Sequence, residues 1–344
     1  MKKILFVGSL NTKKDHHDGE RIKTTLTHNV LKNYFLVETI NLSGNKFLGV
    51  VKFVSLIIFK KSQFDFVVIS KDRGGAKILH RALCMLHFNM EKVIYFQIGP
   101  FLFDLVKDNN KVKQLFINDK IVTVETESLK NQLVSVGFSN IKVLPNFKPT
   151  YDLAFKKMVY PKSVLKLVYL SRIEEKKGIY QLIDTLIDLN TKKELFTLDI
   201  YGMFMDTHDK NKINNYCQHY KWLHYCGKLA LEKQEDYMNL QNYDFHVFPT
   251  LYGEGFPGSI IDFFIAGVPT LSSTFARSNE ILSSREAIFF EQGNCESLKN
   301  KLQWIFNNQG MIDSLRLNSF KRKDEFTPML LSSFIEKELL QDGK

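Results

Sequence analysis

Short apolar runs alternate along the chain with longer segments in which apolar residues recur every three or four positions. The runs are rich in β-branched and aromatic residues, which is typical of buried strands. In the first half they predict strands at Lys3–Val7, Phe35–Ile40, Phe64–Ser70, Lys92–Gln97, Ile121–Val124 and Ile141–Leu144. The longer segments predict helices at Glu20–Lys32, Lys46–Lys61, Gly75–Phe88 and Glu127–Val136. This alternation favours an α/β fold with parallel sheets that helices cover on both faces.

The rhythm breaks at Pro145–Pro149, where a polar stretch begins that runs to Lys162, and then restarts. We therefore expect two doubly wound domains, residues 1–150 and residues 151–325. Residues 326–344, with a helical segment at Met329–Leu340, could cross back to the first domain. Ligands of such sheets bind at the carboxyl ends of the strands, so a cleft between two facing domains is expected. The second-half strands are predicted at Leu165–Leu170, Leu195–Tyr201, Leu223–Cys226, Asp244–Phe248, Thr270–Ser272 and Ala287–Phe290.

Composition excludes several classes of protein. A hydrophobic content of 44% and a charged content of 24% over 344 residues are those of a soluble globular protein. The longest apolar run, Phe53–Phe59, is far short of the roughly 20 residues of a membrane-spanning helix. The apolar run near the amino terminus is too short for a secretory signal, and the four cysteines form no Cys-x-x-Cys pair. A cytoplasmic protein is the expectation.

The net charge of +10 is unevenly distributed. Residues 1–150 contain 23 Lys and Arg against 12 Asp and Glu, whereas residues 151–344 contain 24 against 25. The basic first half suggests contact with an anionic partner, such as the inner face of a membrane or a lipid-phosphate substrate. The alternative is that lysines merely keep the protein soluble. Nucleic acid is not expected as a partner, because no recognition motif accompanies the charge.

The helical stretch from Phe47 to Lys61 combines many large apolar residues with lysines. Such a helix can lie on a membrane surface. Because most of its length is apolar, burial against its own sheet is the expected arrangement.

The segment Glu254–Asp262, Glu-Gly-Phe-Pro-Gly-Ser-Ile-Ile-Asp, is the most informative stretch of the chain. It follows an apolar run and predicts a strand end, a glycine-rich turn and a helix from Gly258 to Gly267. Glycines let the backbone approach a ligand, and a helix start favours an anion such as phosphate. The two acids are better suited to accept hydrogen bonds from sugar hydroxyls. Nucleotide-sugar binding is suggested, and an ordinary strand-turn-helix is the alternative.

A second polar turn, Ser171–Gly178, follows the first strand of the second half. Arg172 and Lys177 are five residues apart, so both cations can point towards one ligand. Arginine offers a planar fork for a diphosphate, and lysine a mobile point charge. The neighbouring Glu174, Glu175 and Lys176 are expected to form a solvated charged turn.

These segments together resemble glycosyltransferase family 4, whose members are retaining enzymes of the GT-B fold with two Rossmann-like domains. The version here looks like members that build bacterial capsular polysaccharides or exopolysaccharides. The resemblance spans nearly the whole chain and is most specific in residues 165–282. It is carried by Ser-Arg-Ile-x-x-x-Lys-Gly at 171–178, Tyr201-Gly202, Phe248-Pro249-Thr250, Glu-Gly-Phe-Pro at 254–257 with an acid at 262, Val143–Asn146, and faintly Asp18–Arg21.

The resemblance implies roles for individual residues. Arg172 and Lys177 would bind the donor diphosphate, Glu254 would lie against the transferred sugar, and Asp262 would hold the ribose. Backbone near Lys228 and Leu229 would touch the base. The implied catalytic residues are Glu254, Arg172 and Lys177, and the remaining donor-binding residues are Gly19, Gly202, Gly255, Phe256, Pro257, Gly258, Ser259 and Ile260, of which Pro257 has no amide to donate.

The chain departs from the family pattern at two positions. The family usually has Glu where Asp262 stands, so the ribose contact is expected to change. It often has His in the loop after the fourth strand, where this chain has Gln97, which cannot accept a proton. Gln97, Lys71 and Arg73 are nevertheless the candidates for acceptor binding. For Lys71 and Arg73 a solvated loop is the favoured interpretation, and contact with an acceptor phosphate is the alternative.

The function expected from the resemblance is transfer of a sugar from a nucleotide diphosphate to a lipid-linked or other oligosaccharide acceptor. A UDP-sugar is favoured over a GDP-sugar, although contacts through backbone leave the base open. No Asp-x-Asp pair is placed to hold a metal, so neither metal nor cofactor is expected. The alternatives are a hydrolysing sugar-nucleotide epimerase, a non-catalytic nucleotide-sugar-binding protein and, from charge alone, a nucleic-acid binder.

Overall fold

The structure is a computed structural model that describes residues 1–11 and 19–340. The chain forms two compact units. The first unit is Met1–Pro149 with Phe326–Lys344, and the second unit is Thr150–Glu325. Phe326 is tied to the first unit where its carbonyl accepts the amide of Lys148 at 3.0 Å.

Each unit contains a six-stranded parallel sheet. All twelve predicted strands form, with ends within two residues of the prediction. In the first unit they are β1 Lys3–Gly8, β2 Leu36–Asn41, β3 Phe66–Lys71, β4 Val93–Gln97, β5 Ile121–Val124 and β6 Ile141–Val143. In the second unit they are β7 Leu165–Leu170, β8 Phe196–Tyr201, β9 Leu223–Tyr225, β10 Phe245–Phe248, β11 Thr270–Ser273 and β12 Ala287–Phe290.

Helices alternate with these strands, as the pattern predicts. They are α1 Gly19–Leu31, α2 Lys46–Lys60, α3 Arg73–Met85, α4 Leu102–Val106, α5 Asn110–Lys113, α6 Glu127–Ser135, α7 Ile179–Leu189, α8 Thr207–His219, α9 Gln234–Leu240, α10 Gly258–Ala266, α11 Ser278–Ile281, α12 Cys295–Asn307, α13 Ile312–Arg322 and α14 Met329–Ile335, which a π-helical segment Glu336–Leu340 follows. No helix among the described residues is long and apolar enough to cross a membrane.

Both sheets are doubly wound. The strand order is β2-β1-β3-β4-β5-β6 in the first unit and β12-β11-β10-β7-β8-β9 in the second. Every position of β3, β4, β5 and β10 is buried, because helices cover both faces of a parallel sheet. The α/β fold class expected from the sequence is confirmed.

The carboxyl-terminal segment supplies part of the first unit's core. Leu331, Phe334, Ile335 and Leu339 belong to one buried cluster with residues of β1 and β4, among them Phe96. The rings of Phe96 and Phe334 lie 6.1 Å apart, centroid to centroid. The second unit has its own apolar core around β7, β8 and α7.

Helix α2 differs from its prediction. Only Phe53 and Ile57 are buried in it, and both pack into the core of the first unit. Phe47 is 75% exposed and Phe59 is 78% exposed. The expectation that this helix is buried against its own sheet is therefore wrong for its outward face, since apolar content alone does not tell which side of a helix faces the core.

Candidate donor site

The second sheet reverses its strand order between β7 and β10. These strands pair directly, with Phe245 opposite Leu167 and His246 opposite Val168. In open α/β sheets, ligands bind beyond the carboxyl ends of the strands at such a reversal. The turn with Arg172 and Lys177 follows β7, and the segment with Glu254 follows β10. The structure therefore brings the two sequence motifs together.

Close backbone contact fixes the turn after β7. Gly178 has φ +74°, and a Cβ there would lie 1.8 Å from the carbonyl oxygen of Pro249. Only glycine fits such a position. The amide of Leu251 also donates to the carbonyl of Lys176 at 2.9 Å. The loops after β7 and β10 are thus held against each other through their main chains.

Lys177 is buried at the centre of this arrangement. Its Nζ donates to Glu254 Oε1 and to the Tyr252 hydroxyl, each at 2.7 Å. The Thr250 hydroxyl donates to the same Glu254 oxygen at 2.9 Å. These are the hydrogen bonds of Nζ among the described residues, so one N–H remains for an anion. Lys177 is therefore a buried cation bonded directly to Glu254, the carboxylate predicted to contact the sugar.

Arg172 is the more accessible cation. Its side chain is 46% exposed, and its Nη2 lies 3.4 Å from Glu174 Oε1. The side chain of Glu174 is only 13% exposed and also pairs with Lys176 at 3.0 Å. The expectation of a solvated carboxylate is therefore wrong for Glu174, which orients the basic residues on either side of it. Lys176 and Glu175 are exposed, as expected.

The main chain of the Thr250–Glu254 segment is held by side chains from later in the sequence. Arg277, which is 9% exposed, donates through Nε to the carbonyl of Glu254 at 2.7 Å. Ser273 and Gln292 donate to the carbonyl of Thr250 at 2.8 Å and 3.0 Å. Neither Arg277 nor Tyr252 is predicted from the sequence, because nothing in their local spacing connects them with Glu254.

Helix α10 begins and ends as predicted, from Gly258 to a left-handed Gly267 with φ +64°. The first amides of a helix lack intrahelical carbonyl partners, so Gly258 and Ser259 present donors at its start. Ile260 differs, since its amide donates to the carbonyl of Pro257 at 3.2 Å. Gly255 and Phe256 are buried in the turn before the helix. Of the amides expected to bind an anion, that of Ile260 is therefore already bonded within the turn.

Asp262 lies one turn inside α10 and is 4% exposed. The fully buried Tyr237 donates its hydroxyl to Asp262 Oδ1 at 2.9 Å. Burial, with the nearby Asp262 charge, raises the pKa of Tyr237 far above its usual range, so the hydroxyl stays a donor. The Tyr151 ring lies 4.7 Å from the Tyr237 ring. The shorter carboxylate predicted to bind ribose is thus oriented by a tyrosine that the sequence analysis missed.

Gly202 places the end of β8 beside the Arg172 turn. It has φ +156°, and a Cβ there would lie 1.8 Å from the carbonyl oxygen of Ser171. Its amide donates to the carbonyl of Gly227 at 2.9 Å. Lys228 and Leu229 follow directly, the first exposed and the second half-buried. The predicted base-contacting backbone therefore lies at the same sheet edge as the predicted diphosphate-binding residues.

The predicted acceptor residues belong to the first unit. Lys71 and Gln97 lie opposite each other in β3 and β4. Lys71 is buried and paired with Glu20, so the expectation of a solvated loop is wrong for it. Arg73 begins α3 and is exposed. The structure brings Lys71 and Gln97 together but places Arg73 on a helix surface.

Gln97 is 2% exposed and donates to the carbonyl of Gly99 at 2.5 Å. Its Oε1 is buried without a hydrogen-bond partner in residues 1–11 and 19–340. A buried ion pair that the sequence analysis missed lies beside it, with Lys23 Nζ 2.5 Å from Glu125 Oε1 and 3.4 Å from the carbonyl of Gln97. Gly19 is the exposed first residue of α1, whereas Asp18 lies outside the described residues.

One group of side chains in the described part of the chain has metal-ligand spacing. It consists of Asp206, His208 and Asp209 at the start of α8. Asp206 already accepts the amide of Asp209 at 2.8 Å, and Asp209 accepts the hydroxyl of Tyr180. These bonds account for the carboxylates as a helix cap and a tertiary contact.

Solved structures of similar fold cover nearly the whole chain. A crystal structure of Anabaena Alr3699/HepE in complex with UDP and glucose has a TM-score of 0.71 at 13% identity, covering 98% of this chain and 99% of that one. Sucrose-phosphate synthase from Thermosynechococcus elongatus has a TM-score of 0.72 at 13% identity with the same coverages. The lipopolysaccharide outer core galactosyltransferase WaaB has a TM-score of 0.66 at 15% identity, again covering 98% of this chain and 99% of that one. These likenesses confirm the GT-B fold.

Sequence comparison identifies the family. No curated protein matches the chain. The family model described as glycosyl transferases group 1 matches residues 152–323, which is half of the chain and nearly all of the second unit. That match contains the Arg172 turn, the Glu254 segment and Asp262, and the structure assembles these at one sheet edge. The chain therefore belongs to the glycosyl transferases group 1 family.

Proposed function

We propose that the protein is a retaining, family 4-like hexosyltransferase that moves a sugar from a nucleotide diphosphate to a lipid-linked glycan. A role in capsular or exopolysaccharide synthesis follows from the sequence resemblance. The observation that carries the proposal is the joining of Lys177 to Glu254 at the reversal between β7 and β10. The second unit would bind the donor, and the first unit the acceptor.

A UDP-sugar is the proposed donor. Among proteins of similar fold, Alr3699/HepE has been crystallised with UDP and with UDP-glucose. Arg172 would provide a fork to the diphosphate, and the remaining N–H of Lys177 a second charged donor. The amides of Gly258 and Ser259 would add the partial positive charge of a helix start. Asp262, oriented by Tyr237, would accept from the ribose.

The chemical task of these residues is to stabilise the leaving group. As the bond from the anomeric carbon to the β-phosphate oxygen breaks, negative charge grows on the diphosphate. Preorganised cations and amides stabilise that charge without reorganising. Two cations supply the charge that a divalent metal would otherwise bring, so we propose metal-independent transfer with no cofactor.

Retention of configuration is proposed to proceed at the front face of the sugar. Glu254 is 8% exposed and shares Oε1 with Lys177 and Thr250, which makes it a poor nucleophile. The acceptor hydroxyl oxygen would bond to the anomeric carbon on the face that the phosphate leaves. Its proton would pass to the departing β-phosphate oxygen, so no side chain would have to accept that proton. Glu254 would instead hold the sugar through hydrogen bonds.

The test is donor binding and turnover in matched lysine and arginine variants. A panel of UDP- and GDP-sugars is screened by thermal shift, and a donor at a hundred times its Kd should stabilise the fold by about 2.7 kcal/mol. In Arg172→Ala and Lys177→Ala we expect that stabilisation to disappear and turnover to fall by roughly a hundredfold or more. Lys176→Ala, which changes an exposed neighbour, is the control and should behave as wild type.

Unchanged turnover in both variants would refute the diphosphate assignment. Nucleotide release that is independent of acceptor and accompanied by an epimerised sugar would instead indicate a hydrolysing epimerase. Circular dichroism of each variant separates a lost contact from a lost fold.

The proposed lipid-linked acceptor implies that the first unit works at the inner face of a membrane. Support comes from the charge of residues 1–150, which contain 23 basic and 12 acidic residues. A negative lipid surface attracts such a protein.

A further inference from the structure

The outward face of α2 is apolar. Five of its large hydrophobic side chains are strongly exposed, at 75%, 61%, 49%, 51% and 78% for Phe47, Leu48, Val51, Ile58 and Phe59 respectively. Monomeric proteins rarely leave a contiguous apolar surface of this kind in water unless it binds something.

The exposed residues form one stripe along the helix. Leu48, Val51, Ser55, Ile58 and Phe59 follow at spacings of three, four, three and one, which places them on one side of an α-helix. Phe53 and Ile57, the buried residues, lie on the opposite side. The helix therefore has two apolar faces, of which only one is used by the fold.

The charge around this stripe has a single sign. No acidic residue occurs from Thr39 to Phe64, and four lysines do, at positions 46, 52, 60 and 61. All four are exposed. Helix α3 packs beside α2 and exposes Arg73, Ile78, Arg81 and Met85. We call the exposed faces of α2 and α3 the α2–α3 surface.

We propose that the α2–α3 surface docks on an anionic lipid bilayer, with α2 lying in the plane of the headgroups. The apolar stripe would enter the boundary between headgroups and acyl chains, and the lysines would meet lipid phosphates. At 15 residues the helix is about 22 Å long, which suits lying on a bilayer but not crossing it.

Charge argues against a second copy of the chain as the occupant. A two-fold interface places the same patch on both sides. The lysines of α2 would then approach lysines, with no acidic residue on the helix to compensate them. A phospholipid surface supplies both the negative charge and the apolar layer that this face lacks.

The test is flotation of the full-length protein with vesicles of phosphatidylcholine, alone or mixed in equal parts with phosphatidylglycerol. We expect binding to the mixed vesicles that weakens at high salt. The variant Val51→Ser/Ile58→Ser/Phe59→Ser should bind at least tenfold more weakly. The variant Lys52→Gln/Lys60→Gln/Lys61→Gln should lose about fivefold for each lysine.

The matched control changes exposed apolar residues elsewhere. Met238 and Trp304, in the second unit, are 51% and 48% exposed. Met238→Ser/Trp304→Ser should bind vesicles as wild type does. All substituted side chains are exposed, so the variants should fold, which circular dichroism would verify.

Two results with the Val51/Ile58/Phe59 variant would overturn the proposal. One is equal vesicle binding by wild type and the Val51/Ile58/Phe59 variant. The other is a concentration-dependent dimer, seen by sedimentation without vesicles, that this variant abolishes, because the occupant would then be a second copy. The reason for docking, access to a lipid-linked acceptor, rests on the proposed function. The flotation test itself does not, because it involves no sugar transfer. Failure of the wild-type protein to float with the mixed vesicles, while it still binds its donor, would therefore refute the docking surface alone.

Discussion

The two units share a doubly wound sheet but differ in how tightly the main chain is packed at the carboxyl edge of that sheet. In the second unit the main chain is crowded, with Gly178 against Pro249 and Gly202 against Ser171. In the first unit the crowding is milder, since a Cβ on Gly8 would lie 2.7 Å from the carbonyl oxygen of Ser70, and the buried pair of Lys23 in α1 with Glu125 after β5 adds a side-chain contact. Backbone crowding dictates the residue type at a position, whereas a side-chain pair can be exchanged for other contacts. The second unit should therefore be the less tolerant of substitution at its sheet edge.

The largest effect is expected for Gly178→Ala. The added Cβ would clash with the Pro249 carbonyl at a φ that L-residues rarely adopt, so the second unit should lose about 4 kcal/mol or more of stability. Urea unfolding followed by tryptophan fluorescence measures this directly, because both tryptophans, Trp222 and Trp304, lie in the second unit.

Gly227→Ala is the control for Gly178→Ala. Gly227 has a similar φ, +79°, but a Cβ at this position would meet nothing within 4 Å among the described residues. Its substitution should cost only about 1 to 2 kcal/mol. Equal losses in both variants would mean that conformation, not crowding, determines the glycine at 178.

A smaller effect is expected for Glu125→Ala in the first unit. Removing the carboxylate that pairs with the buried Lys23 should cost about 3 kcal/mol, whereas Lys23→Met/Glu125→Met should recover most of that loss. Hydrogen exchange of the β1–β6 amides reports on the first unit. The exposed Glu127–Lys130 pair serves as the control, since Glu127→Ala should change stability by less than about 1 kcal/mol. If the double variant were as unstable as Glu125→Ala, the claim that other contacts can replace the Lys23–Glu125 pair would be wrong.

The smallest effect is an opposite pH dependence of the two units. Burial lowers the pKa of His246 in the second unit to about 3. The unfolded chain takes up a proton at this histidine below pH 6.5 and the folded chain does not, so the free energy of unfolding is unaffected above pH 6.5 and falls as the pH drops below that value. Burial raises the pKa of Asp119 in the first unit to about 6, although His80 opposes the shift, so its stability is full below 3.8 and is lost as the pH rises through 6. Between pH 6 and pH 4 each group should change the free energy of unfolding of its unit by about 2 kcal/mol, and the two changes should have opposite signs.

Tryptophan fluorescence and hydrogen exchange at both pH values separate the two units. His246→Gln should flatten the pH dependence of the second unit, and Asp119→Asn that of the first. Parallel pH slopes in the two units would show that neither buried group controls the response.

Sequence predicted most of the fold because its signals are local. Strands such as β3 and β4, buried at every position, are continuous apolar runs, and their ends were predicted within two residues. The glycine-rich turn before α10 was predicted from residue types that its backbone requires. Helix α2 was interpreted wrongly because both of its faces are apolar, so periodicity could not tell which one the sheet covers.

The candidate donor site was predicted only in part. Arg172, Lys177 and Glu254 lie in motifs, so their proximity follows from the order of the strands. Tyr237 and Arg277 reach the site from 25 and 23 residues away in sequence, through contacts that only the folded chain creates. Lys23 and Glu125 are 102 residues apart, and no local pattern relates them. Contacts between residues so far apart in the chain depend on tertiary packing, which the spacing of residue types in one sequence does not reveal.

The return of residues 326–340 to the first unit affects how the protein matures on the ribosome. Phe334 and Leu331 complete a buried cluster with Phe6 and Phe96, residues synthesised long before them. The nascent first unit must therefore keep an apolar face uncovered while the whole second unit is translated. Nascent chains of this protein should consequently depend on a chaperone until α14 emerges.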